Sequence, residues 1–201
     1  MDHIMNFYHY VHDFPLLFAV LAAVVIPFGI MISGYLIGLL GEAIALLASL
    51  FVDPWFVLTM INSLFFPGVM IHELSHAFFA IITGGVVTEV ALFKRDPETG
   101  SLGHVYFHNR GGKILRAIQN VFISSAPMYI GAVVVFGCFT AAFGLPYLPL
   151  GLRIFCGYLG TAMFYHMTMS PADVKVYMKG VPIFMAIVFI VALILRLIKV
   201  V

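Results

Sequence analysis

Between Trp55 and Thr83 the chain is largely apolar, and its one formal charge is Glu73, within His72-Glu73-Leu74-Ser75-His76. A stretch this long and this apolar must be buried, in protein or in lipid. If it is helical, the two histidines, four apart, stand on one face with one turn between them. At that spacing two imidazoles can bind one zinc ion, and Glu73 can reach the water that the metal activates. A carboxylate and two imidazoles are costly to place in hydrocarbon. A metal site is the simplest reason to keep them together there.

Composition places the rest of the chain in the same environment. Of 201 residues, 63% are hydrophobic and 9% charged, against about a quarter charged in soluble domains. The chain reads as one membrane-embedded unit over 1–201. Its core is at about 55–180, preceded by an N-terminal helical segment (1–54) and followed by a C-terminal transmembrane helix (181–201). A net charge of +1 argues against nucleic acid, which calls for a basic surface. Cys138 and Cys156 lie in apolar segments and form neither a disulfide framework nor a zinc-ligand spacing. Met1 to Asp13 has no Lys or Arg and so lacks the charged start of a cleavable signal peptide.

A membrane-crossing helix takes about 20 apolar residues. Phe14 to Val52 is too long for one perpendicular span and is interrupted by Pro27, several glycines and Glu42. It reads either as one span plus a re-entrant or interfacial helix, or as two joined spans. Trp55 to Thr83, Ile114 to Phe143, Leu152 to Met169 and Val181 to Ile198 are the further runs. The expected fold is an all-α polytopic membrane protein with five or six transmembrane helices. A small β-hairpin is expected at the cytoplasmic membrane edge. Val86 to Phe93 is β-branched and partly alternating, Lys94 to Gly100 is a turn cluster, and Leu102 to Phe107 is a returning strand.

Charge sets the expected topology. Lys94, Arg95, Arg110, Lys113 and Arg116 flank the hairpin, and Lys175 and Lys179 follow the fourth run. Both loops are expected at the cytoplasm, in the cell membrane. This leaves Arg196 and Lys199 on the opposite side and puts His76 roughly 10 Å below the cytoplasmic surface.

A catalytic zinc usually has three protein ligands and an open position. The candidates for the third are Asp173, Glu42, Asp53, Glu89, His104, His108 and His166. Asp173 is preferred. It follows the fourth run, at the level of His76, although it could instead cap a helix or pair with Lys175.

The segment His72-Glu73-Leu74-Ser75-His76-Ala77-Phe78-Phe79-Ala80-Ile81-Ile82-Thr83-Gly84 resembles the first metal-binding helix of the site-2 proteases, which are intramembrane zinc metalloproteases. The family pattern, H-E-x-x-H-x-x-x-A-x-x-x-G followed by a strand, is met at His72, Glu73, His76, Ala80 and Gly84. A later family helix brings an Asp within Leu-Asp-Gly. Here Ser170-Pro171-Ala172-Asp173 stands in its place, and Ala126-Pro127 with Gly131 loosely echoes a Gly-Pro of the middle span. The resemblance implies a minimal, divergent intramembrane endopeptidase that cuts transmembrane protein or peptide substrates within the lipid bilayer. It implies His72, His76 and Asp173 as zinc ligands and Glu73 as general base. A substrate must be unwound to expose its carbonyls. The strand at Val87, Glu89 and Val90 is the expected place for it to pair. The competing reading is a metal-binding membrane protein without catalysis, either a transporter or a scaffold, or a metal-free structural partner.

Overall fold

The computed structural model describes residues 14–95 and 102–198. Helices α1 (Pro15–Ser49), α2 (Pro54–Leu64) and α3 (Phe66–Ile82) lead into strands β1 (Val86–Arg95) and β2 (Leu102–His108). Helix α4 (Lys113–Phe139) follows and ends in a wider π-helical turn, Thr140–Gly144. Then come α5 (Leu150–His166) and α6 (Pro171–Leu197). Most of the turn cluster between the strands lies outside the described residues.

Prolines punctuate the chain where a proline fits best, in the first turn of a helix. Pro15, Pro54, Pro67 and Pro171 all sit there. Pro67, at the junction after Leu64, divides the run Trp55–Thr83 into two helices, α2 and α3, rather than one span. The opposite correction applies to Phe14–Val52. It is a single helix of 35 residues, neither a hairpin nor a span with a separate re-entrant piece, and Pro27 lies inside it. At about 1.5 Å per residue it is about 52 Å long, well beyond a hydrocarbon core of about 30 Å.

Three stretches among the described residues are long and apolar enough to cross a membrane: α1, α4 with its π-helical turn, and α6. The expectation of five or six is not met by length. Helices α3 and α5 have 17 residues each, short of the ~20 a perpendicular crossing takes.

Helix α4 is the hub, packing against α3, α5 and α6, while α1 packs along α6. The core joins Val121 and Met128 of α4 to Met169, Tyr177 and Val181, with Phe28, Ile30 and Met31 of α1 against them. The fully buried Tyr177 donates its hydroxyl proton to the Pro27 carbonyl at 2.8 Å. Glycine lets the helices meet closely. A Cβ at Gly180 would collide with the Ala117 carbonyl, and one at Gly68 with the Ala162 carbonyl and His166.

The direction of α6 corrects the expected topology. Helix α5 runs antiparallel to α4, with Gly160 against Phe139 and Gly131 against Met167. Helix α6 continues the same way, with Met169 near Met128 and Gly180 at Ala117. Thus α5 and the first part of α6 form one path along α4, broken at 167–170. Lys175 and Lys179 belong to α6 and not to a loop. The helix ends on the hairpin side, with Arg196 over the Phe18 ring. Arg196 therefore shares a side with Lys113 and Arg116 rather than opposing them.

Helix α3 stops in a Schellman motif, as its glycines dictate. The Gly85 N–H donates to Ala80 O, the Gly84 N–H donates to Ile81 O, and Gly84 takes φ +83°. The chain then enters an antiparallel hairpin whose pairs include Val86 with His108, Val90 with Val105 and Ala91 with His104. The fully buried Gln119 holds both roots of the hairpin. Its amide donates to the Thr83 carbonyl at 2.9 Å and its carbonyl accepts from the Arg110 N–H at 3.1 Å.

The close contact at Gly68 gives a paired test. Gly68→Ala should destabilise the protein by about 1–3 kcal/mol through overpacking. Gly29→Ala, with nothing within 4 Å, should not destabilise it. Denaturant unfolding of both variants in one detergent checks this; equal stabilities would refute the α3–α5 contact.

Candidate metal centre

The geometry of the centre begins with two main-chain carbonyls that their own helices leave unpaired. Pro127 has no N–H, so Ile123, four residues before it in α4, lacks its helical donor. The Ile123 carbonyl instead accepts from His76 Nδ1 at 2.7 Å. His166 closes α5, where the last carbonyls have no partner within the helix. Its carbonyl accepts from His72 Nδ1 at 2.6 Å. A carbonyl only accepts, so both rings carry their proton on Nδ1 and present a bare Nε2 lone pair.

Those two lone pairs face each other. His72 Nε2 and His76 Nε2 are 3.1 Å apart, and Asp173 Oδ1 stands 3.3 Å from His76 Nε2. Asp173 Oδ2 is 3.9 Å from His72 Nε2. Two imidazole nitrogens and a carboxylate oxygen this close together form a donor set that could hold a cation. Two ligands on a tetrahedral zinc, each bonded at about 2.0–2.1 Å, lie about 3.3 Å apart, close to the His72–His76 and His76–Asp173 spacings here. Among the described residues, His72, His76 and Asp173 form the group able to hold a metal ion. The donor set of two imidazoles and a carboxylate suits zinc, without excluding other divalent metals.

Asp173 also caps its helix, so ligation and capping do not compete as the sequence reading expects. Its Oδ2 accepts from the Ser170 N–H at 2.9 Å and from the Ser170 hydroxyl at 2.7 Å. The Asp173 N–H donates back to Ser170 Oγ at 3.2 Å, completing a capping box. Asp173 lies in the first turn of α6, not at the end of the fourth run, and reaches the histidines across the break in the path along α4.

Glu73 is buried and abuts the hairpin: a Cβ at Gly103 would stand 3.0 Å from Glu73 Cγ. Gly103 adopts φ +91°, which favours glycine. The backbone of β2 therefore covers Glu73.

The other ligand candidates are placed elsewhere. The Asp53 carboxylate accepts from the Phe56 N–H at the start of α2. Glu89 pairs with His104 Nε2 at 3.3 Å and with Lys94 at 3.9 Å. His108 lies at the root of the hairpin opposite Val86, and Glu42 is exposed on α1. His166 takes part through its carbonyl, while its ring bonds Ala162 O. Val87, Glu89 and Val90 all fall on β1. Sequence reading missed the orienting carbonyls, although Pro127 four residues after Ile123 was a legible signal. It also missed Gln119, which no motif marks.

No family model, no curated protein and no solved structure matches this chain. The chemistry of the site therefore carries the functional argument.

Two substitutions test the ligand set. Asp173→Ala should lower bound metal about as much as His76→Ala does, and His108→Ala should leave it unchanged. Elemental analysis of the purified variants reads this directly. Normal metal in Asp173→Ala, with only about 1 kcal/mol lost from stability, would reduce Asp173 to a cap.

Proposed function

We propose that this chain is a zinc-dependent intramembrane endopeptidase of the site-2 protease type, acting on transmembrane protein substrates. One observation carries the reading: two Nδ1-anchored imidazoles and a carboxylate converge on one point, beside a buried glutamate that the ligand set does not need. A buried carboxylate that the ligand set does not need favours hydrolysis over storage or transport.

Zinc held by His72, His76 and Asp173 would supply Lewis acidity and lower the pKa of a water towards 7. Glu73 takes the proton from the attacking water on a carboxylate oxygen. It delivers that proton to the amine nitrogen as the C–N bond breaks. The water oxygen stays on the new carboxyl group, so water is added across the peptide bond. The Ile123 and His166 carbonyls hold the imidazoles in one tautomer throughout. The β2 backbone over Glu73 limits access of bulk water to the base.

A helical substrate must be opened before it can be cut, because a helix pairs its own carbonyls. The hairpin offers strand edges beside the base, and β1, with Val87, Glu89 and Val90, is the strand assigned to pair with the substrate. In this reading α3 makes a further crossing, and α5 with the first part of α6 makes a single return along α4. The positive charges of Lys94, Arg110, Lys113, Arg116 and Lys179 support a cytoplasmic hairpin side in this reading. Ile123 lies ten residues into α4, which sets the site about 15 Å along that helix.

Glu73→Gln should retain the fold and the metal but lose peptide hydrolysis by orders of magnitude. A fluorogenic transmembrane peptide, assayed in detergent with metal content measured in parallel, reads both. Cleavage near wild type in this variant would refute the mechanism. A metal-loaded wild type that cuts no transmembrane peptide would leave a non-catalytic binder. Val90→Pro, which removes a strand donor, should lower cleavage more than metal content. Normal cleavage by that folded variant would clear β1 of substrate pairing.

A further inference from the structure

The four residues between α5 and α6, Met167 to Ser170, join the two halves of the path along α4 at the depth of the site. They lie between two groups of the metal centre. The His166 carbonyl before them fixes His72, and Asp173 after them faces His76. Ser170 belongs to neither group as a ligand, yet it determines how one of them is presented.

The two carboxylate oxygens of Asp173 have different surroundings. Oδ2 accepts two hydrogen bonds from one residue, the Ser170 N–H at 2.9 Å and the Ser170 hydroxyl at 2.7 Å. Oδ1 faces His76 Nε2 at 3.3 Å. The side chain is largely shielded from solvent, so little water competes for either oxygen. Two donors on Oδ2 use its lone pairs and fix the carboxylate plane. The oxygen left with free lone pairs is Oδ1, the one nearer an imidazole, while Oδ2 stands 3.9 Å from His72 Nε2.

We propose that Ser170 is a positioning residue of the metal centre. Its hydroxyl and N–H hold Asp173 Oδ2, so that Oδ1 alone is offered to the metal and Asp173 binds through a single oxygen. This rests on the metal reading of His72, His76 and Asp173. The same capping box that starts α6 thereby orients the third ligand, so the junction of α5 and α6 is coupled to metal affinity. Outer-shell partners of this kind typically tune metal affinity 10–100-fold.

The test must separate this role from ordinary capping. Glycine serves as an N-cap nearly as well as serine and keeps the backbone N–H, but it lacks the hydroxyl. Threonine keeps the hydroxyl. The full chain is purified in detergent and stripped of metal, and its zinc dissociation constant is measured by competition with a chromogenic chelator. The thermal midpoint of each metal-free form is recorded beside it. Ser170→Gly should weaken zinc binding about 10- to 100-fold with little change in the metal-free midpoint. Ser170→Thr should restore wild-type affinity. Ser170→Ala should weaken zinc like the glycine variant while also lowering the midpoint through loss of the cap.

Unchanged zinc affinity in Ser170→Gly overturns the proposal, even if the midpoint falls. Failure of Ser170→Thr to restore affinity overturns it as well, because the hydroxyl is then not the active group. A wild-type protein that binds no zinc ends both the metal reading and this one. Weakened zinc in Ser170→Gly beside normal cleavage by Glu73→Gln would sink the protease mechanism and leave the role of Ser170 standing.

Discussion

Two imidazole lone pairs turned towards each other at 3.1 Å are the constraint on which the rest of this structure depends. Left alone, the two rings would rotate or take up a proton between them. Each is prevented from rotating by a carbonyl on its far side, at Ile123 and at His166. Those carbonyls are available because α4 contains a proline and α5 ends. The surrounding helices therefore hold an electrostatically unfavourable pair in the geometry that a cation relieves.

That geometry needs three helices at close quarters. Gly68 lets α3 lie against the Ala162 carbonyl of α5, and α3 packs on α4 where Ile123 is exposed to it. A residue larger than glycine at 68 would push His72 away from the carbonyl that orients it. The break at 167–170 serves the same end. Interrupted helices at membrane depth expose main-chain groups that a continuous helix consumes, and they do so where protein rather than lipid surrounds them. Here the break yields one free carbonyl and one capped carboxylate, and both face the histidines.

The hairpin is tied to this arrangement at its roots rather than at its tip. Gln119 bonds the main chain just before β1 and just after β2, and the side chains of Asn109 and Asn120 join beside it. The positive φ of Gly103 brings the β2 backbone onto Glu73. A sheet of two strands has little stability of its own, so its position over the glutamate is set by α3 and α4.

Much was legible from residue order alone. Apolar runs announced the long helices, and the spacing of His72 and His76 put them on one face of α3. Gly84-Gly85 ended that helix, β-branching at Val86–Val90 marked the strand, and Ser170-Pro171-Ala172-Asp173 spelled a capping box. These are local effects, governed by backbone sterics and by partners within a few residues, so sequence alone determined them. Hydrophobicity alone could not count the crossings, because it does not say where a proline will divide a run or a long helix continue. It also could not say that α6 runs on from α5 towards the hairpin side, since antiparallel return and continuation have the same composition. Asp173 was the residue preferred from sequence, but its approach to His76, the two orienting carbonyls and Gln119 were decided by the tertiary structure. Each acts on a group brought to it by packing from 36 to 97 positions away in the chain. Such contacts depend on how closely helices approach, which is set by glycines and side-chain volumes on several elements at once.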